Sequence, residues 1–149
     1  MKALRSITLL GLLAFAVPAA RPASINGGTL YERLGGQPAI EAVASHLVDS
    51  ILTDSRVNKW FVHAAASPEN TQAYKHELAT FLCQSTQGPC KYAGLDMTAA
   101  HRGKHVTPEA FDAVVQDLVK VLDNLNVPAR EKGDVLALLA PLKMVIVQK

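Results

Sequence analysis

Four prolines divide this chain more firmly than any other feature. Pro38, Pro68, Pro108 and Pro128 each head a segment whose apolar residues recur at three- and four-residue steps. Proline suits the first turn of a helix, where no N–H partner is lost and its fixed φ is already helical. Cap residues and early acids reinforce two of these starts, Ser67-Pro68-Glu69 and Thr107-Pro108-Glu109. The first segment carries Ile40, Val43, Leu47, Ile51 and Leu52 on one face, and the second Tyr74, Leu78, Phe81 and Leu82. The third carries Phe111, Val114, Val115, Leu118 and Leu122, and the last Val135, Leu138, Leu139, Leu142 and Val145. Pro141 interrupts this last helix and should kink it. No segment alternates with the period of a strand, so the expected class is all-α, with four main helices and short extra ones. Thr29 caps one of the short helices and Gly35-Gly36 ends it. After Asp54 or Ser55 the chain restarts into VNKWF, where Trp60 and Phe61 are expected to be buried.

The first nineteen residues read as a secretory signal rather than as part of the fold. Lys2 and Arg5 precede an apolar run from Ile7 to Val17, and small residues follow. The competing reading, an uncleaved anchor, needs a longer run of roughly 18–20 apolar residues. Residues 20–28 then form a small-residue linker, and residues 29–149 the folded domain. Its length, about 130 residues with the linker, is ample for one core. The chain holds 15 basic and 13 acidic residues, so losing Lys2 and Arg5 balances the charges. No basic stripe with interleaved aromatics appears, which argues against a nucleic-acid partner, and nothing after Ser24 is apolar enough to span a bilayer. Export points to a compartment such as the bacterial periplasm. There the two cysteines, Cys83 and Cys90, are candidates for a local disulfide, with free buried thiols as the alternative.

Between Gln87 and Asp96 all periodicity is lost, although strong helices flank the region on both sides. A long loop inside a compact domain is usually functional or tied down. His101 ends this stretch, four residues after Met97 and beside Ala99 and Ala100. Small neighbours let a large flat ligand approach, and a neutral imidazole is a good axial iron ligand. The alternative is a histidine that merely caps a helix end. A zinc clamp of His101 with His105 would need one continuous helix, which Gly103 and Thr107-Pro108 oppose. His76 lies about 200° around the helix from the apolar face that Tyr74 and Leu78 share. His46 and His63 have no matching partner, so all three read as surface histidines. No nucleophile–histidine arrangement or phosphate-binding loop is present.

LYERLGGQPAI, VNKWF, FLCQSTQGPCKYAGLDMTAAH and HVTPEAFDAVVQDL follow one another in an order that resembles the group 1 truncated haemoglobins, from Thr29 to about Val147. The most specific pieces are LGG, GPCKYAG and Met97 to His101. The resemblance implies a globin-like two-over-two helical sandwich enclosing non-covalent haem b, with His101 as the proximal iron ligand. It places Phe61 against the haem plane with Trp60 beside it. Tyr74, Leu78, Phe81 and Leu82 line the distal side, Met97, Val114 and Val115 the proximal side, and Tyr92 completes the haem-binding set. This chain departs from the family pattern in two places. Val48 stands where these proteins commonly carry an oxygen-holding tyrosine, and Leu78 where they often carry glutamine. Tyr74 is the remaining donor near the bound ligand, or else an amphipathic gate residue. A lost hydrogen bond of roughly 1–3 kcal/mol implies about tenfold weaker oxygen retention.

The function expected on this basis is reversible binding of dioxygen, or of carbon monoxide or nitric oxide, at a histidine-ligated iron. The alternatives are a nitric oxide dioxygenase or weak peroxidase served by an external reductase, and a haem carrier. A helical domain that has lost its cofactor is the remaining possibility.

Overall fold

The computed structural model describes residues 27–147. The proposed signal at residues 1–19, its cleavage site and most of the linker lie outside them. Seven α-helices follow in order: α1 Leu30–Leu34, α2 Gln37–Thr53, α3 Pro68–Ser85, α4 Met97–His101, α5 Pro108–Asn124, α6 Ala129–Leu139 and α7 Lys143–Ile146. Short 3-10 turns cover Asn58–Trp60, Ala64–Ala66 and Ala140–Leu142. No strand occurs among the described residues.

The helix starts are those that the prolines mark. Ser67 and Thr107 accept hydrogen bonds from the N–H groups of Asn70 and Ala110, and Pro68 and Pro108 occupy the first turns. Thr29 and Glu32 cap α1 reciprocally: the Glu32 N–H donates to Thr29 Oγ1 at 3.2 Å and the Thr29 N–H to Glu32 Oε2 at 2.9 Å. Gly35, at φ 110°, ends that helix in a conformation closed to other residues at low cost.

Helix α2 packs on both α3 and α5, and its Ile40, Val43, Ala44, Leu47 and Ile51 form the middle of the core. Helix α1 is tied to α6, where the Arg33 guanidinium bonds Glu131 at 3.2 Å and also pairs with Asp134. The five-residue α4 leans on α7.

Three expectations need correction. Leu138 and Val145 face solvent, at 42% and 41% exposure, while Leu136, Leu139 and Ile146 pack on the core. Pro141 breaks the helix into a tighter 3-10 turn, so α7 resumes with its inward position shifted by one residue. Within α6, Leu138 lies about 100° from the centre of the face that Val135, Leu136 and Leu139 share. Secondly, the deep face of α5 includes Ala110, Ala113 and Val121 beside Leu118 and Leu122, which leaves Phe111, Val114 and Val115 half-buried at its margin. Finally, Trp60 and Phe61 are only half-buried, because the indole N–H bonds a surface carbonyl and the Phe61 ring lies edge-on to Tyr74.

Cys83 and Cys90 are joined by a disulfide. The Cys83 end is fully buried in the core, and the bond closes a short turn at the end of α3. A bridge over so few residues should contribute about 2.5 kcal/mol through the unfolded chain's lost entropy. Urea unfolding of Cys90→Ser should show that loss. Reductant should bring the unsubstituted protein to the same midpoint and leave the variant unmoved.

Candidate functional site

His101 is the last residue of α4, and its ring is fixed by its own helix. Asp96 starts the helix by accepting the Ala99 N–H at 2.9 Å. One turn later His101 Nδ1 lies 2.8 Å from the Met97 carbonyl oxygen. A carbonyl only accepts, so Nδ1 carries the proton and Nε2 keeps a free lone pair. Gly103, at φ 73°, then turns the chain away, and His105 follows with φ 49°. The two histidines therefore do not share a helix face. His46, His63, His76 and His105 are all exposed, whereas His101 is half-buried. Among the described residues no group of three or more histidine, cysteine, aspartate or glutamate side chains is placed to hold a metal ion.

Several apolar side chains on three helices are left half-buried by the fold. Tyr74, Leu78 and Phe81 lie along α3, and Met97, Val114 and Val115 belong to α4 and α5. Leu82 turns instead into the core cluster. Val48 is fully buried, outside the main cluster. One edge is closed by a chain of contacts. The Tyr74 and Phe61 rings meet edge-on at 5.8 Å, and the neighbouring Trp60 indole N–H donates to the Lys104 carbonyl at 2.9 Å. The Lys104 N–H donates in turn to the His101 carbonyl at 3.1 Å.

The other edge is the loop behind the disulfide. Tyr92 meets Phe81 edge-on at 5.5 Å, and its backbone N–H donates to Gln84 Oε1 at 2.8 Å. The Tyr92 ring lies so close over Gly94 that a Cβ there would fall 2.3 Å from the phenol oxygen. Gln84 and the backbone of Lys104 are the contributors that sequence reasoning missed. Neither is of a residue type that announces a site. Two surface hollows, one lined by His46, Ser50 and Lys120 and the other by Thr29, Arg33 and Asp134, include none of these residues.

Burial pushes the Tyr74 phenol up to about 12, with a smaller push from the Tyr92 phenol beside it. Tyr92 is raised too, first by burial and then by the charge of Glu77. Tyr74 therefore stays protonated at any physiological pH, as a hydrogen-bond donor. No described residue accepts a hydrogen bond from its hydroxyl.

Comparison with known proteins agrees with this architecture. The family described as "Bacterial-like globin" matches residues 29–148. The group 1 truncated hemoglobin of Nostoc sp. (strain MUN 8820) is 31% identical over 121 residues, covering 81% of this chain and 98% of its own. That of Tetrahymena pyriformis is 32% identical over 99 residues, covering 66% and 78%. The crystal structure of the Tetrahymena protein in its Fe(III) form superposes with a TM-score of 0.73 at 26% identity, over 82% of this chain and 100% of that one. The 2/2 hemoglobin from Synechococcus sp. PCC 7002, in the cyanomet state with covalently attached heme, gives 0.71 at 26% identity, over the same shares of the two chains. The fold is thus that of a small all-helical globin. The chain belongs to the bacterial-like globin family, with the two-over-two helical arrangement of the group 1 truncated haemoglobins.

The raised Tyr74 phenol has a consequence in alkali. The unfolded chain ionises its tyrosines near 10.0, whereas Tyr74 in the fold holds its proton to about 12. Below pH 10 the two states bind this proton equally. Between 10 and 12 the folded state binds more protons, so stability falls as pH rises. The apo-protein should lose up to about 2–3 kcal/mol of unfolding free energy across this window through Tyr74. Parallel urea titrations should show Tyr74→Phe losing less by that amount.

Proposed function

We propose that this protein binds haem non-covalently through His101 and reversibly holds a diatomic gas, chiefly dioxygen, on the Tyr74 side. The observation that carries the reading is the Met97–His101 hydrogen bond, which leaves Nε2 of a half-buried imidazole as a free, oriented donor. The surroundings suit a large flat apolar group. Ala99 and Ala100 leave room beside the imidazole, and Phe61, Tyr74, Leu78, Phe81, Val114 and Val115 offer apolar surface that the polypeptide leaves half-covered. With Cys83 and Cys90 spent on each other, no thiol remains for a covalent link. When bound, haem iron supplies the coordination position at which a gas is held.

The protein's own residues do the rest. His101 Nε2 would hold the iron, and the Met97 carbonyl keeps the ring from turning and makes it a stronger donor. The apolar walls would keep water from the bound group. The Tyr74 hydroxyl, neutral and without an acceptor among the described residues, donates a hydrogen bond to the ligand. Val48 presents only methyl groups from α2, so the distal side has one phenol where its relatives commonly have a tyrosine–glutamine pair. The disulfide fits an oxidising compartment, and the basic start and apolar run of residues 2–17 fit export, to the periplasm in a bacterium.

Visible spectra of the reconstituted domain test the reading. The unsubstituted protein should give a histidine-ligated ferrous carbonyl spectrum that His101→Ala loses. Equal spectra from the two would sink it. Tyr74→Phe should release oxygen about tenfold faster, the loss of one hydrogen bond of about 1.5 kcal/mol. Stopped-flow displacement of oxygen by carbon monoxide measures it directly.

A further inference from the structure

Most basic side chains of this fold are neutralised within it. Arg33, Arg56, Lys75, Lys120, Lys132 and Lys143 each sit on a carboxylate. Lys59, Lys91, Arg102, Lys104 and Arg130 do not: all are exposed, and none forms an ion pair with a described residue. The fold brings three of these, Lys59, Arg102 and Lys104, to one corner. Lys59 Nζ lies 4.2 Å above the Trp60 ring, whose N–H is bonded to the Lys104 carbonyl. Arg102 and Lys104 follow His101 directly in the chain, and the Lys104 N–H is bonded to the His101 carbonyl. Val62, 68% exposed, adds an apolar contact two residues from Trp60. Like charges held together without counter-charges cost stability and project a positive field.

We propose that this corner is the docking surface for an acidic one-electron carrier protein. The proposal rests on the haem reading above. Exposed cations gathered beside an indole, one of them next to the site histidine in the chain, suit a transient complex steered by charge. Three cations on a chain so close to charge balance fall short of the broad basic face an anionic membrane selects. In the redox step, one electron leaves the reduced carrier and converts ferric iron to ferrous. The carrier is oxidised by one electron, and no bond or proton is exchanged.

The test uses the holoprotein and a reduced, acidic plant-type [2Fe–2S] ferredoxin as probe. Calorimetric affinity and the stopped-flow reduction rate should both fall at least tenfold between about 0.01 M and 0.15 M salt, as the screening length shrinks from about 30 Å to 8 Å. At low salt the double variant K59E/K104E should show a similar loss, while Arg130→Glu, on α6, behaves as the unsubstituted protein. Salt-independent binding, no binding, an undiminished K59E/K104E, or an equal loss in Arg130→Glu overturns the proposal. So does a Lys59- and Lys104-dependent preference for phosphatidylserine vesicles over the ferredoxin. The calorimetry can be repeated on apo-protein, so a failure to take up haem, visible in the absorption spectrum, is distinguished from a failure of the surface.

Discussion

Five residues are too few for a helix to stand unaided, because nucleation costs more than one turn of hydrogen bonds returns. Helix α4 is that short, and His101 is its last residue. Everything the site can do depends on contacts from outside that helix. The disulfide pins the start of the incoming loop to α3, and Gln84 and Phe81 hold Tyr92. At the far end the Trp60 indole holds the Lys104 carbonyl. Helix α7 supports α4 from a third direction. The loop is irregular but tethered at both ends, as a segment must be if it is to present one imidazole reproducibly.

How much of this was legible depends on what each residue type can announce. Proline and cap residues act locally, so Pro38, Pro68, Pro108 and Pro128 mark helix starts that the fold keeps. The path of α6 into α7 was harder, because one tighter turn at Pro141 exchanges Val145 for Ile146 on the inner face. Alanine hides in the same way: Ala44, Ala110 and Ala113 are almost fully buried, but a pattern read from large side chains passes over them. Around the site, His101 and Tyr74 stood out by spacing and by resemblance to a family. The contact between Trp60 and Lys104 did not, since one partner is a backbone carbonyl 44 residues away.

The distal side shows how polarity can be reduced without opening the fold. Val48 is fully buried and Leu78 half-buried, so on the proposed reading the two positions that the family resemblance marks for hydrogen-bonding groups carry hydrocarbon. Tyr74 lies on α3, not on α2 beside Val48. Its ring is braced by Phe61 and its phenol is kept neutral by burial. On the proposed reading, a single neutral donor would favour a ligand that can accept a hydrogen bond, and would retain it less strongly than two donors.

The division of α5 between core and site links cofactor and stability. Its small residues and leucines fill the interior, whereas Phe111, Val114 and Val115 stay half-covered at the margin, together with Phe61, Leu78 and Phe81 from elsewhere. Full burial of such a side chain contributes about 1.5–3 kcal/mol, so each one left half-covered forgoes part of that. A flat apolar group that covers them returns this energy to the folded state alone, since the unfolded chain has no such surface. Folding and haem uptake are then two parts of one equilibrium. A domain whose site helix cannot stand alone gains from a covalent tether that acts before the cofactor arrives. The position of the disulfide, between α3 and the loop that carries Tyr92 towards His101, meets that need.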